Sequence, residues 1–286
     1  MPELPEVEAL ARFLAERTAG RTVADVTVVA VSALKTFSPA PADLVGRPVL
    51  DVRRHGKWLD LATDGPHLIA HLSLAGWVRW YDAVPTTTPR PGRSPIALRL
   101  RLDDGSGFDL TEAGTRKRLA VHLVDDPAQV PLVASLGVDP LSPELTVERL
   151  AALLSARSQQ VKGLLRDQRA IAGIGNAYSD EILHAARMSP FALTTSLDAA
   201  AVARLHEVVR TVLTDALAAA AGRPAAELKD AKRRGMQVHG RTGLPCPVCG
   251  DTVREVSFAD RSLQYCATCQ TGGRPLADRR LSRLLR

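Results

Sequence analysis

Pro2 and Glu3 place a ring nitrogen beside a carboxylic acid in the opening Met1-Pro2-Glu3-Leu4-Pro5-Glu6. Loss of Met1 would leave Pro2 as a free secondary amine. An α-amine has an ordinary pKa of about 7.7–8.0 and is a fair nucleophile near neutrality. A secondary amine that attacks a sugar C1′ forms an iminium with no proton on nitrogen to lose, so the adduct stays cationic. That cation acidifies the C2′ hydrogen, and one group could both expel a base and start strand cleavage. The two prolines also suit a plainer role, stiffening the lead into a helix, because Pro is welcome in a first helical turn.

Two Cys-x2-Cys pairs, Cys246/Cys249 and Cys266/Cys269, are separated by 16 residues and hold all 4 cysteines of the chain. Paired knuckles at this spacing match a tetrahedral four-thiolate zinc site. All four ligands come from protein, so the expected cofactor is one structural Zn2+. Two disulfides are the alternative, and a chain that stays inside the cell disfavours them. Arg261 falls between the knuckles, near the expected tip of a hairpin, where a fixed guanidinium suits a phosphate or simply meets solvent.

Arg outnumbers Lys 31 to 6, so a lysine is the exception among the basic residues of this chain. Lys57 sits in Arg53-Arg54-His55-Gly56-Lys57-Trp58 at the start of a strand. It could neutralise a phosphate or shuttle a proton; a strand-edge lysine also discourages aggregation. Gly173-Ile174-Gly175-Asn176 lacks the third glycine and the preceding strand of a dinucleotide fingerprint. It reads instead as a tight turn between helices, with Asn176 capping the second and the turn gripping one phosphate.

Elements must hold these residues in place. Val7, Leu10 and Leu14 keep helical spacing over Leu4–Thr18, with Gly20 as a stop. Residues 22–124 read as short strands: Val23–Val31, Val49–Val52, Trp58–Ala62, His67–Leu72, Trp77–Tyr81, Ile96–Leu102 and Leu119–Val124. Asp64-Gly65 and Asp104-Gly105 mark hairpins. Helices are expected from Val147 onward, including a face made by Val202, Leu205, Val209 and Val212 or Leu213. Many strands at close spacing argue for a sandwich or barrel, so the fold class is α+β and multidomain: 1–130 a β half with a leading helix, 131–236 helical, and 237–286 a basic segment bearing the cysteines.

The 286 residues give a net charge of +6, unevenly spread. Residues 223–286 hold 13 Lys and Arg against 6 Asp and Glu, and the first 222 hold 24 against 25. A polyanion partner for the C-terminal segment, or a solvated basic tail, accounts for the surplus. No stretch approaches roughly 18 continuous apolar residues, which excludes an α-helical membrane span. Glu3, Glu6 and Glu8 occupy the place where a signal peptide carries basic residues. The expected location is inside the cell.

Together these motifs resemble the formamidopyrimidine-DNA glycosylase / endonuclease VIII family of base-excision repair enzymes. The likeness runs through Pro2-Glu3-Leu4-Pro5-Glu6-Val7-Glu8, Gly56-Lys57, residues 161–181 and Val238-His239-Gly240-Arg241 before the cysteines. Leu4 points to the formamidopyrimidine branch. The resemblance implies a β-sandwich, a helix-two-turn-helix domain and a zinc finger, with DNA in the cleft between lobes. It implies a monomeric protein acting on double-stranded DNA that carries damaged bases or abasic sites. Pro2 would be the nucleophile and Glu3 the general acid/base, with Lys57 assisting. Lys162, Asn176 and Arg261 would contact DNA backbone, and Leu74 would fill the void left by an extruded base.

Three departures stand out, one of them a Gly222–Met236 segment shorter than the family's lesion-covering loop. Leu74 in His71-Leu72-Ser73-Leu74-Ala75-Gly76 replaces the family's void-filling methionine, and Glu112-Ala113-Gly114-Thr115-Arg116-Lys117-Arg118 lacks Arg-Arg-Phe-Gly. The expected consequence is an altered lesion range. A lesion binder with weak catalysis and an RNA-associated protein are the competing readings.

Overall fold

A computed structural model of the chain describes residues 1–277 except 91, 93 and 259–261. The chain forms two compact units: residues 1–136 with 220–229, and residues 137–219 with those from 230 onward. No helix among the described residues is long and apolar enough to cross a membrane.

The first unit opens with α1, Leu4–Thr18, with Pro5 in its first turn. Val7, Leu10 and Leu14 are buried, as their spacing predicts. Arg17, in the last turn, lies over the Phe13 ring and donates to the Phe13 carbonyl, which suits the negative helix end. The chain then runs through β1 (Val23–Val28), β2 (Val49–His55), β3 (Trp58–Thr63), β4 (His67–His71), β5 (Gly76–Tyr81), β6 (Ile96–Leu102), β7 (Gly107–Glu112) and β8 (Ala120–Val124). Two antiparallel four-stranded sheets result, β1-β6-β7-β5 and β2-β3-β4-β8.

Leu59, Leu61, Leu68 and Ala70 from one sheet and Leu98, Leu100, Phe108 and Leu110 from the other share a single apolar core with α1. Alternate residues therefore face inward, the condition for a sandwich. Residues 220–229 return to this unit. Ala225 and Leu228 enter its core, Trp77 Nε1 donates to the Ala225 carbonyl at 2.8 Å, and Lys229 caps the Trp77 ring.

Three strands differ from the sequence expectation by more than one residue, and the first is β2, which runs on to His55 past the expected end at Val52. β1 stops at Val28, because the N–H groups of Val29 and Ala30 both turn to the Ala97 carbonyl. β7 lies outside the expected strands, although Phe108-Asp109-Leu110-Thr111 alternates apolar and polar residues as a strand should. Asp109 is buried there by a bidentate pair with Arg99 at 2.7 and 2.9 Å, joined by the Tyr81 hydroxyl.

The second unit begins beyond a short α2 (Pro131–Ala134), which belongs to the first. It contains α3 (Val147–Ser155), α4 (Val161–Arg166), α5 (Asn176–Ala185) and most of α6 (Ala199–Ala220). Thr146 caps α3 by accepting the Arg149 N–H. Leu205, Val209 and Leu213 bury one face of α6. α7 (Leu228–Gly235), the hairpin β9 (Val253–Ser257) and β10 (Ser262–Cys266), and α8 (Ala267–Thr271) complete the fold.

Between α4 and α5 the chain makes a compact double turn. Gln168 binds it from inside, donating to the Arg166 and Ile174 carbonyls and accepting the Gly173 N–H. Gly173 needs its φ of 93°, and Gly137 lies so close to the Ala170 carbonyl that a Cβ would clash at 2.3 Å.

Candidate functional site

Pro2 and Glu3 are buried at the head of α1, with Glu3 in extended conformation at the N-cap. The Glu3 N–H donates to Glu6 Oε2 at 2.9 Å, and Glu6 is buried too. Two carboxyl groups thus lie within one turn of the residue-2 nitrogen. While Met1 is attached that nitrogen is an amide without a nucleophilic lone pair; its removal would create an amine in an acidic setting. Such a setting favours a cationic adduct.

Lys57 occupies the tight turn between β2 and β3, after Gly56 at φ 56°, and is only 8% exposed. Arg54 ties this turn to α1. Its Nε lies 2.9 Å from Glu8 Oε2, and its Nη1 donates to the Gly56 carbonyl at 3.2 Å. Asp60 secures the strands behind the turn, with His55 Nε2 at 2.9 Å and His67 Nδ1 at 2.7 Å from its two oxygens. Burial would raise the Asp60 carboxyl, but the two imidazole hydrogen bonds outweigh it and hold the group below the usual carboxylate range.

His71 lies on the neighbouring strand, its ring 4.7 Å from the Trp58 ring. Burial, then the nearby Lys57 charge, lowers its pKa to about 4, so it is neutral at physiological pH. Two residues on, Ser73 takes a left-handed φ of 53°, and the Gly76 N–H closes the loop on the Leu72 carbonyl. This turn pushes Leu74 out of the sheet, 55% exposed, as an apolar wedge requires. Residues 113–118 are all exposed. The Glu112 carboxylate anchors their far end by accepting the N–H groups of Arg118 and Leu119, and Lys117 donates back to the Glu112 carbonyl.

In the second unit Lys162 is 5% exposed, and its ammonium is held by Asp180 Oδ1 at 2.6 Å, Ser179 Oγ at 2.7 Å and the Asn176 carbonyl at 3.2 Å. The other Asp180 oxygen meets His239 Nδ1 at 2.7 Å. Lys162 therefore braces the start of α5 from inside the protein. Asn176 departs from the expected capping role. Gly175 is the N-cap, and Asn176, the first helical residue, sends its Nδ2 to the Ser262 carbonyl of β10 at 2.8 Å. Its buried Oδ1 has no hydrogen-bond partner among the described residues. Glu181 accepts the successive N–H groups of Gln237, Val238 and His239, yet burial still pushes its carboxyl above the ordinary value. Arg261 lies outside the described residues.

The four cysteines are free thiols with their Sγ atoms all within 4.8 Å of one another. A tetrahedral Zn2+ with bonds of about 2.3 Å sets sulfur–sulfur edges of about 3.8 Å, so the cluster has the right size. Gly250, at φ 79°, closes the first knuckle by donating to the Cys246 carbonyl, and the Cys246 N–H donates to the Asp251 carbonyl. Val238 and Val253 pack against the sulfurs. These four residues bind one zinc ion, whose charge keeps all four as thiolates.

Spacing alone gave no signal for Arg54, Glu6, Gln168 or Asp180, whose partners are fixed by packing. His71 and His239 lie inside motifs already singled out, but their surroundings emerge only from the fold.

Three family models match in chain order: the formamidopyrimidine-DNA glycosylase N-terminal domain over residues 1–121, its H2TH domain over 136–226, and a zinc finger found in FPG and IleRS over 243–272. The chain is 38% identical over 281 residues to the formamidopyrimidine-DNA glycosylase of Symbiobacterium thermophilum, covering 94% of this chain and 89% of the relative. It is 57% identical over 159 residues to an uncharacterized formamidopyrimidine-DNA glycosylase-like protein of Mycobacterium tuberculosis, covering 56% of this chain and 99% of that protein. The crystal structure of MutM (Fpg) from Thermus thermophilus superposes with TM-score 0.80 at 32% identity, covering 96% of this chain and 100% of the other. With the N-terminal Pro-Glu helix, the sandwich, the double turn and the zinc cluster all in place, the chain belongs to the formamidopyrimidine-DNA glycosylase family of DNA-repair enzymes.

Proposed function

We propose that this DNA glycosylase is bifunctional: after loss of Met1, the Pro2 nitrogen displaces a damaged base and the same adduct cleaves the strand. The nitrogen lone pair forms a bond to C1′ as the glycosidic bond breaks. The base leaves with that electron pair and takes up a proton. Opening of the sugar ring, with Glu3 as proton donor, gives the iminium. Removal of a C2′ proton then expels the 3′ phosphate, a second elimination expels the 5′ phosphate, and water releases Pro2. Lys57 balances the phosphate charge beside the reacting sugar. The observation that carries this reading is the buried Pro2-Glu3 head of α1, fastened through Glu8 and Arg54 to the turn bearing Lys57.

The partner is double-stranded DNA containing damaged bases or abasic sites. Support comes from a Lactococcus lactis Fpg solved with abasic-site DNA, which superposes with TM-score 0.82 at 26% identity over 94% of this chain and 99% of that chain. Asn176, braced by Lys162, and Arg261 hold the backbone around the lesion, while Leu74 occupies the space it leaves. Residues 113–118 carry no aromatic side chain. The lesion range therefore shifts toward ring-opened purines, oxidised pyrimidines or abasic sites.

Borohydride trapping on an abasic duplex, with intact-mass measurement of the mature N-terminus, tests the mechanism. A covalent adduct at Pro2 is expected. Retained binding without an adduct would identify a damaged-DNA binder instead. A duplex lesion panel tests the range, and preference for 8-oxoguanine opposite cytosine would overturn it.

A further inference from the structure

We infer that His184 is a positioning residue for the metal, donating its Nε2–H to the Cys246 thiolate and so joining the zinc centre to α5. His184 is 4% exposed, and its Nε2 lies 3.3 Å from Cys246 Sγ, 62 residues away in sequence. A metal-bound thiolate has no proton and can only accept. Zinc binding thus settles the tautomer of His184, with the proton on Nε2.

Charge explains why such a donor matters. Four thiolates around Zn2+ leave two net negative charges, and Cys246 and Cys266 are both buried. Uncompensated charge in a buried setting is costly, and an N–H aimed at sulfur offsets part of it. The backbone N–H and carbonyl of Cys246 are already engaged within the knuckle, which leaves its sulfur as the acceptor facing α5.

An independent pattern supports the assignment. Asn176, Asp180 and His184 recur every four residues along α5 and so share one face. Each reaches the metal-bearing segment: Asn176 the Ser262 carbonyl, Asp180 the His239 ring, and His184 the Cys246 sulfur. The last residue in this row touches a metal ligand directly. A ring placed only to fill space would need no nitrogen at that point.

Wild type, H184Q, H184N and H184F are purified with Co2+ or Zn2+ bound. A glutamine amide nitrogen reaches the position of imidazole Nε2, whereas an asparagine amide stops near Nδ1. Loss of the N–H raises the donor energy of the thiolate. H184N and H184F should therefore shift the sulfur-to-cobalt charge-transfer band to longer wavelength. They should also release zinc to a competing chelator about tenfold faster. H184Q should keep the wild-type band and rate. Identical bands and rates across the four proteins, or equal changes in H184Q and H184N, would overturn the assignment. If H184F does not fold, the comparison of glutamine with asparagine decides. Metal stoichiometry of the wild type, expected at one, tests the zinc site independently of His184.

Discussion

Arg54 and Glu8 pair at 2.9 Å across 46 residues of sequence, and the same guanidinium holds the Gly56 carbonyl. The head of α1 and the turn carrying Lys57 are thereby one mechanical piece. Arg54 is nearly buried, so this pair is less screened than a surface ion pair. Two catalytic candidates on separate elements need such a brace, because a misplacement of about 1 Å can cost on the order of 100-fold in rate.

Replacing Arg54 by Ala should slow single-turnover trapping on an abasic duplex by about 10- to 100-fold, with the fold retained. Arg54→Lys should recover little, since one ammonium cannot serve both Glu8 and Gly56 in the guanidinium's geometry. Trapping rates equal to wild type in R54A would disconnect this pair from the chemistry.

His71 gives a pH dependence of defined sign. Its folded pKa of about 4 lies below the ordinary 6.5, chiefly through burial and then through Lys57. Between those values the unfolded chain binds a proton that the folded one does not. Stability is therefore lost as pH falls from 6.5 toward 4, by at most about 1.4 kcal/mol per pH unit for one proton. Urea titrations of wild type and His71→Gln at several pH values measure the difference. The wild type should lose more on acidification, and parallel curves would show that His71 titrates normally.

Asp180 neutralises the buried Lys162 and orients His239. Asp180→Asn leaves an ammonium inside the protein without its counter-charge, which should cost about 3–5 kcal/mol in denaturant unfolding. The double variant Lys162→Met/Asp180→Leu should lose clearly less than the sum of the two single changes. Simple additivity would mean that the two side chains do not act as a pair.

Leu74 is held out by the left-handed Ser73, and its exposure has no packing role to justify it. Leu74→Ala should weaken binding to an abasic duplex about tenfold while sparing a single-stranded abasic oligonucleotide, which has no stack to enter. Leu74→Met should bind the duplex as well as wild type. Equal losses on single and double strands in L74A would place Leu74 outside the stack.

Much of this protein is written locally. The burial of Val7, Leu10 and Leu14 follows from a helical period of about 3.6, and the zinc ligands follow from Cys-x2-Cys spacing, since a knuckle is a short-range object. β7 escaped that kind of reading. Its Asp109 is tolerated inside only because Arg99, ten residues earlier on the adjacent strand, supplies a bidentate partner. Phe108 and Leu110 do alternate with Asp109 and Thr111, but alternation puts a polar residue on the solvent side and cannot register that Asp109 is buried by a pair that cancels its charge.

What the sequence alone determined was the set of reactive groups, the order of elements and the kinship to one family. Tertiary structure decided what those groups face. Lys162 looks like any surface lysine until Asp180 encloses it, and Asn176 looks like a helix cap until Ser262, 86 residues on, takes its amide. The orientation of His184 toward Cys246 belongs to the same class. Side-chain type fixes which hydrogen bonds are possible; only the long-range packing of α4, α5 and the zinc hairpin sets which ones form, because separation along the chain carries no record of contacts made in space.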